Sequence, residues 1–170
     1  MDLALLVLRV VVGALFAGHG AQKLFGAFGG GGLDGTAQMF DNIGLRPGTL
    51  HARAAGAAEF AGGALLALGL FTPFAAAAAI AVMTAAVITV HAANGIWNTD
   101  RGYEYNLVMV AAVFALAGIG AGSWSLDDAF GFDLHGTAWA IGALLVGVLG
   151  GIGAVLSGRI VAGHEPHPVS

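Results

Sequence analysis

Five separate runs of this chain are long and apolar enough to cross a bilayer, and its few charges gather at their ends. They cover about residues 3–20, 54–70, 74–93, 106–122 and 137–156. A helix needs roughly 20 apolar residues to cross ~30 Å of hydrocarbon. The runs are continuous rather than alternating, which excludes transmembrane β-strands. Only 9% of residues are charged and 58% are hydrophobic, where a soluble domain carries about 25% charge. The expected fold is all-α, a membrane helical bundle. Thr72-Pro73 predicts a helix start, with Thr72 as N-cap and Pro73 at the first helical position. The second and third spans then form a tight antiparallel hairpin.

The start of the chain, Met1-Asp2-Leu3, lacks the positive n-region of a signal peptide, so the first run is read as a retained helix. Lys23, Arg46, Arg53, Arg101 and Arg159 fall on one side of a five-span topology, with only Arg9 opposite. The positive-inside rule then places the N-terminus outside and the C-terminus in the cytoplasm. Arg9 lies within the first span and is expected to snorkel outward or to pair with Asp127, Asp128 or Asp133 of the outer loop. There are no cysteines, so the chain itself can run no dithiol exchange and form no disulfide. Its net charge of -4 supplies no basic patch for a nucleic acid.

The first connection opens with the glycine tract of residues 25–32, read as a hinge because the G-K-[ST] ending and the preceding strand of a phosphate loop are missing. Within it, residues 34–43 set Ala37, Phe40 and Ile43 on one face of a short interfacial helix that Asp34 could cap. Trp124 and Trp139 suit an aromatic belt at the membrane surface. Small residues recur at helical spacing: Gly56 and Gly63 flank Glu59 in the second span, and Ala143, Gly147 and Gly151 mark the fifth. Such stripes let helices approach closely in lipid. They serve packing within the bundle first, and a second copy of the chain is the other partner they suit.

The residues able to carry chemistry gather at one depth. His19, Gln22 and Lys23 share a face at the end of span one. Glu59 lies one to two turns inside span two, His91 and Asn94 end span three, and Glu104 and Tyr105 open span four. Alternating topology puts all four groups in the cytoplasmic leaflet. An ionisable group there costs ~2.5–3.5 kcal/mol or more unless it finds a partner. The structural alternative is an ion pair of Glu59 with Lys23, or a hydrogen bond to His19 or His91.

At these residues the chain resembles the DoxX family. The resemblance rests on His19-Gly20-Ala21-Gln22-Lys23-Leu24-Phe25-Gly26 and on the stretch from Glu59 to Pro73. It continues through Asn94-Gly95 to Gly102-Tyr103-Glu104-Tyr105 and into Ser123-Trp124-Ser125-Leu126-Asp127. It covers about residues 3–130. It implies a four-helix core (residues 1–130), to which this chain adds a fifth transmembrane helix (131–158) and a flexible cytoplasmic tail (159–170). Trp124 stands where the family's pattern has a positive residue, which touches only an outer-face contact. The resemblance further implies redox work at the cell membrane, linked to quinones, thiosulfate oxidation and oxidative stress. Superoxide dismutase and sulfurtransferase proteins are the implied partners. It assigns no catalytic roles, so the eight motif residues are a candidate substrate-binding site only.

Three functions fit these observations. In the first, a redox subunit binds a quinone-like molecule among spans one to four, where Lys23 or His19 donates to a carbonyl gaining charge and Glu59 or Glu104 relays protons. In the second, a small transporter or scaffold uses the same polar cluster to hold a solute. In the third, His19 and His91 hold a haem, or His51 joins them at a metal; two histidines arise readily by chance, and no metal site is assigned.

Overall fold

A computed structural model describes residues 2–164. Among them the chain is all-helical, with five long helices and two short ones. Helix α1 runs Asp2–Phe25, α2 Gly32–Asn42, α3 Gly48–Leu68, α4 Thr72–Ala86, α5 Glu104–Ile119, α6 Leu126–Ala129 and α7 Thr137–His164. A π-helical segment, Val87–His91, prolongs α4. By length and composition three helices can cross a membrane: Asp2–Phe25, Thr72–Asn94 and Thr137–Ala162. Of the other two expected spans, α5 is apolar but 16 residues long. Helix α3 has 21 residues but contains His51, Arg53 and Glu59, and it falls short in apolarity rather than length. The fold is a membrane helical bundle.

Two seams organise it. Helices α1 and α3 meet backbone to backbone. A Cβ on Gly13 would lie 2.5 Å from the Gly63 carbonyl oxygen, and one on Gly20 would strike the Phe60 amide. Close van der Waals approach replaces the hydrophobic effect as the attraction between helices in lipid. The second seam joins α7 to α4: a Cβ on Gly147 would stand 2.6 Å from Ile80 Cβ, and one on Gly151 2.5 Å from the Ala81 carbonyl. The small-residue stripe of the fifth span is thus spent inside the bundle. Helix α5 packs on α4 and α7, and Phe16, Leu66, Ile80, Val113 and Leu116 fill the core between the seams.

The helix boundaries correct several expectations. Helix α3 starts at Gly48, six residues before the expected span, and α7 continues to His164, past the expected start of the tail at residue 159. Residues 165–170, the rest of that tail, lie outside the described residues. Helix α2 matches the expected interfacial helix and buries Ala37 and Phe40, but its N-cap is Gly31, and Asp34 sits inside its first turn. Nor is Thr72 an N-cap. The cap position belongs to Phe71, in a left-handed conformation (φ 49°), and Thr72-Pro73 open the helix itself.

The amides that this cap leaves open are satisfied from elsewhere. Asp127, buried at the start of α6, accepts from Phe71 N at 2.7 Å, Thr72 N at 3.1 Å and Thr72 Oγ1 at 2.7 Å. Its own amide donates to the Gly69 carbonyl at 2.8 Å. Gly69 ends α3 at φ 64°, where a Cβ would meet Ser125 and the Arg9 guanidinium. Arg9 does not snorkel. It is buried and donates to the carbonyls of Ala67, at 2.6 Å, and Trp124. Asp127 is close enough for its charge to act on the guanidinium. The two charges bolt α1, the α3–α4 turn and α6 together at this end of the bundle.

Candidate functional site

At the opposite end the helices separate. Helices α3 and α7 scarcely touch, and the space between them, bounded by α4 and covered by α2, is a cavity of about 440 Å³. That lies in the range of small-molecule pockets, roughly 300–1,000 Å³. Its walls are small because the sequence makes them so: Ala54, Ala55 and Ala58 from α3, Ala81 and Ala85 from α4, Gly150 and Gly151 from α7. Met39, Phe40 and Ile43 of α2 close it with larger apolar groups. The surroundings are apolar, with five polar side chains set into them: Lys23, His51, Glu59, Thr89 and His91.

Glu59 is 2% exposed and faces Lys23 across the α1–α3 seam. Lys23 Nζ donates to Oε1 at 2.8 Å and lies 2.6 Å from Oε2. Both carboxylate oxygens thus lie within ion-pair distance of the ammonium. A buried ion pair gains little net stability because desolvation offsets the attraction, while removing one partner strands the other charge. His19 and Tyr105 complete the surroundings: their rings meet edge to face at 5.9 Å, and each interacts electrostatically with Glu59.

The π-helical segment aims the far wall. A π-turn inserts one residue into the helical ladder and often occurs at functional sites. Here it carries Thr89, Val90 and His91 onto the cavity. Thr89 Oγ1 donates to the Ala85 carbonyl at 2.8 Å. His91 Nδ1 lies 2.8 Å from the Arg101 carbonyl, and because a carbonyl only accepts, Nδ1 carries the hydrogen.

Of the eight candidate residues, Lys23, Glu59 and His91 line the cavity and the other five do not. The groups of α1, α3 and the π-segment thus reach this cavity, and that of α5 does not. Glu104 accepts from the Asn98 amide at 2.9 Å, and Asn94 donates to the Val90 and Arg101 carbonyls, each at 3.3 Å. These two shape the loop between the π-segment and α5. Gln22 donates to the Phe28 carbonyl at 3.5 Å. His19 and Tyr105 form the ring pair behind Glu59. Thr89 was missed as a lining residue, and His51 entered only as a metal ligand; no periodicity marks either. Among the described residues no three of His, Asp and Glu gather as a metal would need.

A model of the DoxX family matches residues 4–92, more than half of the chain. The chain belongs to the DoxX family. The DoxX match holds Lys23, Glu59 and His91 together with the α3 and α4 walls of the cavity, and stops before Asn94, Glu104 and α7. No curated protein and no solved structure matches this DoxX chain.

Proposed function

We propose that this protein binds a quinone-like molecule in the 440 Å³ cavity and serves a redox reaction completed by partner proteins. The observation that carries the reading is a buried Lys23–Glu59 pair set into an otherwise alanine- and glycine-lined pocket. An apolar ring suits such walls, and its polar edge needs a few fixed groups at one end. Lys23 supplies charge that stabilises an oxygen gaining electrons, and Glu59 supplies a site for the accompanying proton. The absence of cysteine leaves any thiol chemistry to a partner, of the sulfurtransferase or superoxide dismutase kind that the family resemblance implies. In this reading the protein sits in the cell membrane, N-terminus outside, with the cavity in the cytoplasmic half.

The test is extraction of the protein in patches of its own membrane. Quinone should be enriched over phospholipid relative to bulk membrane, and the enrichment should fall sharply in Ala85→Phe, whose ring intrudes on the cavity from its α4 wall. Equal ratios in bulk membrane and both proteins would refute the reading.

A further inference from the structure

Three glycines lie close together on α7, and they are not equivalent. A Cβ on Gly147 or Gly151 would strike α4, at 2.6 Å from Ile80 Cβ and 2.5 Å from the Ala81 carbonyl oxygen. A Cβ on Gly150 would reach only Ala81 Cβ, at 3.6 Å, an ordinary van der Waals distance. Packing therefore does not demand glycine at 150, and glycine weakens a helix interior relative to alanine. Gly150 nevertheless lines the cavity and is exposed. So are Ala154, one turn further along α7, and Ala54 on α3. These three form the rim of an opening between α3 and α7. Four residues beyond Ala154 the gap shuts: a Cβ on Gly158 would stand 2.9 Å from Leu45 Cα and 3.0 Å from His51 Nε2. The Arg46 amide also donates to the Gly158 carbonyl there, at 3.3 Å. Gly150 stands midway along the membrane-crossing stretch of α7, Thr137–Ala162. The opening therefore faces hydrocarbon rather than water.

We infer that the cavity takes its ligand sideways from the bilayer, and that this ligand is a ring carrying a long apolar chain, which lies in the opening beside Gly150. A volume of about 440 Å³ is low in the range of small-molecule pockets. It holds a substituted ring but not a long chain as well, so the chain must leave through a wall. Met39 of α2 and Val90 of the π-segment, also exposed, bring full side chains to their own rim. The rim between α3 and α7 presents only methyl groups and hydrogen, at a depth where a chain loses nothing by staying in lipid. Gly150 is thus a specificity-determining position, kept bare for the chain. The inference rests on the ligand-site reading of the cavity given above and adds the route and the class of ligand.

The test uses two benzoquinones that differ only in their chain, one methyl- and one decyl-substituted, with the full-length protein in nanodiscs. The decyl compound is titrated calorimetrically against empty discs, and the methyl compound is read by its displacement of the decyl one. Gly150→Leu puts a side chain in the opening without striking the α4 backbone. It should weaken the decyl compound about tenfold or more, as crowding of a filled space does. The methyl compound, whose ring sits deeper, should change by less than about twofold, which also shows the variant to be folded. Gly153→Leu adds the same side chain at an exposed position with open space around it, off the cavity wall, and should change neither. Ala85→Phe should weaken both, which separates the cavity from partition into lipid. A decyl affinity that Gly150→Leu leaves unchanged, or lowers no more than the methyl one, would overturn the lateral route; if Ala85→Phe still weakens both compounds, the cavity remains a binding site. No Ala85→Phe-sensitive binding of either compound would overturn this inference and the ligand-site reading together.

Discussion

Replacing Asp127 by alanine removes three hydrogen bonds from one carboxylate, and the structure lets their cost be apportioned. Thr72 is 1% exposed, so its amide cannot turn to water and loses the desolvation energy of an unsatisfied donor, about 1–3 kcal/mol. Phe71 is 42% exposed, and its amide can be hydrated in part, which leaves a loss near that of a helix cap, about 1 kcal/mol. The Thr72 hydroxyl can rotate, so its share is small. Arg9, buried nearby, also loses the opposite charge that acts on it. The expected destabilisation is about 2–4 kcal/mol. Asp127→Asn keeps one carbonyl oxygen for an amide and can donate to the rotated Thr72 hydroxyl, so it should cost about half as much. Reversible unfolding in mixed micelles, followed by circular dichroism, measures both. An alanine variant within about 0.5 kcal/mol of wild type would show that the α4 cap is satisfied by other groups and would sink the reasoning.

Three further outcomes are expected. Lys23→Met should destabilise by about 3–5 kcal/mol by stranding Glu59, and adding Glu59→Gln should recover most of it; a double variant as unstable as the sum of the singles would mean the two residues are independent. Gly63→Val should disrupt the α1–α3 seam, because even one Cβ would strike the Ala17 amide, whereas Gly142→Ala, with open space around it, should leave stability within about 0.5 kcal/mol; the same unfolding titration compares them. Arg9→Met should leave the Ala67 and Trp124 carbonyls without their donor and loosen the outer end, raising amide hydrogen exchange across residues 67–72 and 124–128; unchanged exchange would count against the bolt.

What the sequence disclosed follows the range of the interactions involved. Helix existence, the α1–α3 glycine stripe and the α7 stripe are periodic signals within one segment, and each appears where the pattern puts it. The cap of α4 could not be seen in that way, because its carboxylate arrives from 55 residues further along. Thr72-Pro73 mimics a local cap so well that the local reading prevails until the left-handed Phe71 is seen. The cavity escaped notice for another reason. Alanine in an apolar helix is equally consistent with tight packing and with an opening, and only the separation of α3 from α7 decides between them. The π-segment likewise leaves no periodic trace. Lys23 and Glu59 were legible because charge in an apolar span demands a partner, whereas Glu104 and Asn94 share their depth yet turn to loop backbone.

The polarity of α3 bears on how the chain enters the membrane during synthesis. It is long enough to span but less apolar than α1, α4 and α7. Helix α1 emerges first and carries both the glycine face and the lysine that neutralises Glu59. A free carboxylate entering hydrocarbon is opposed by several kcal/mol, and pairing with Lys23 recovers part of that cost. A truncated chain beginning at α3 should remain outside the bilayer even though every residue of that helix is present.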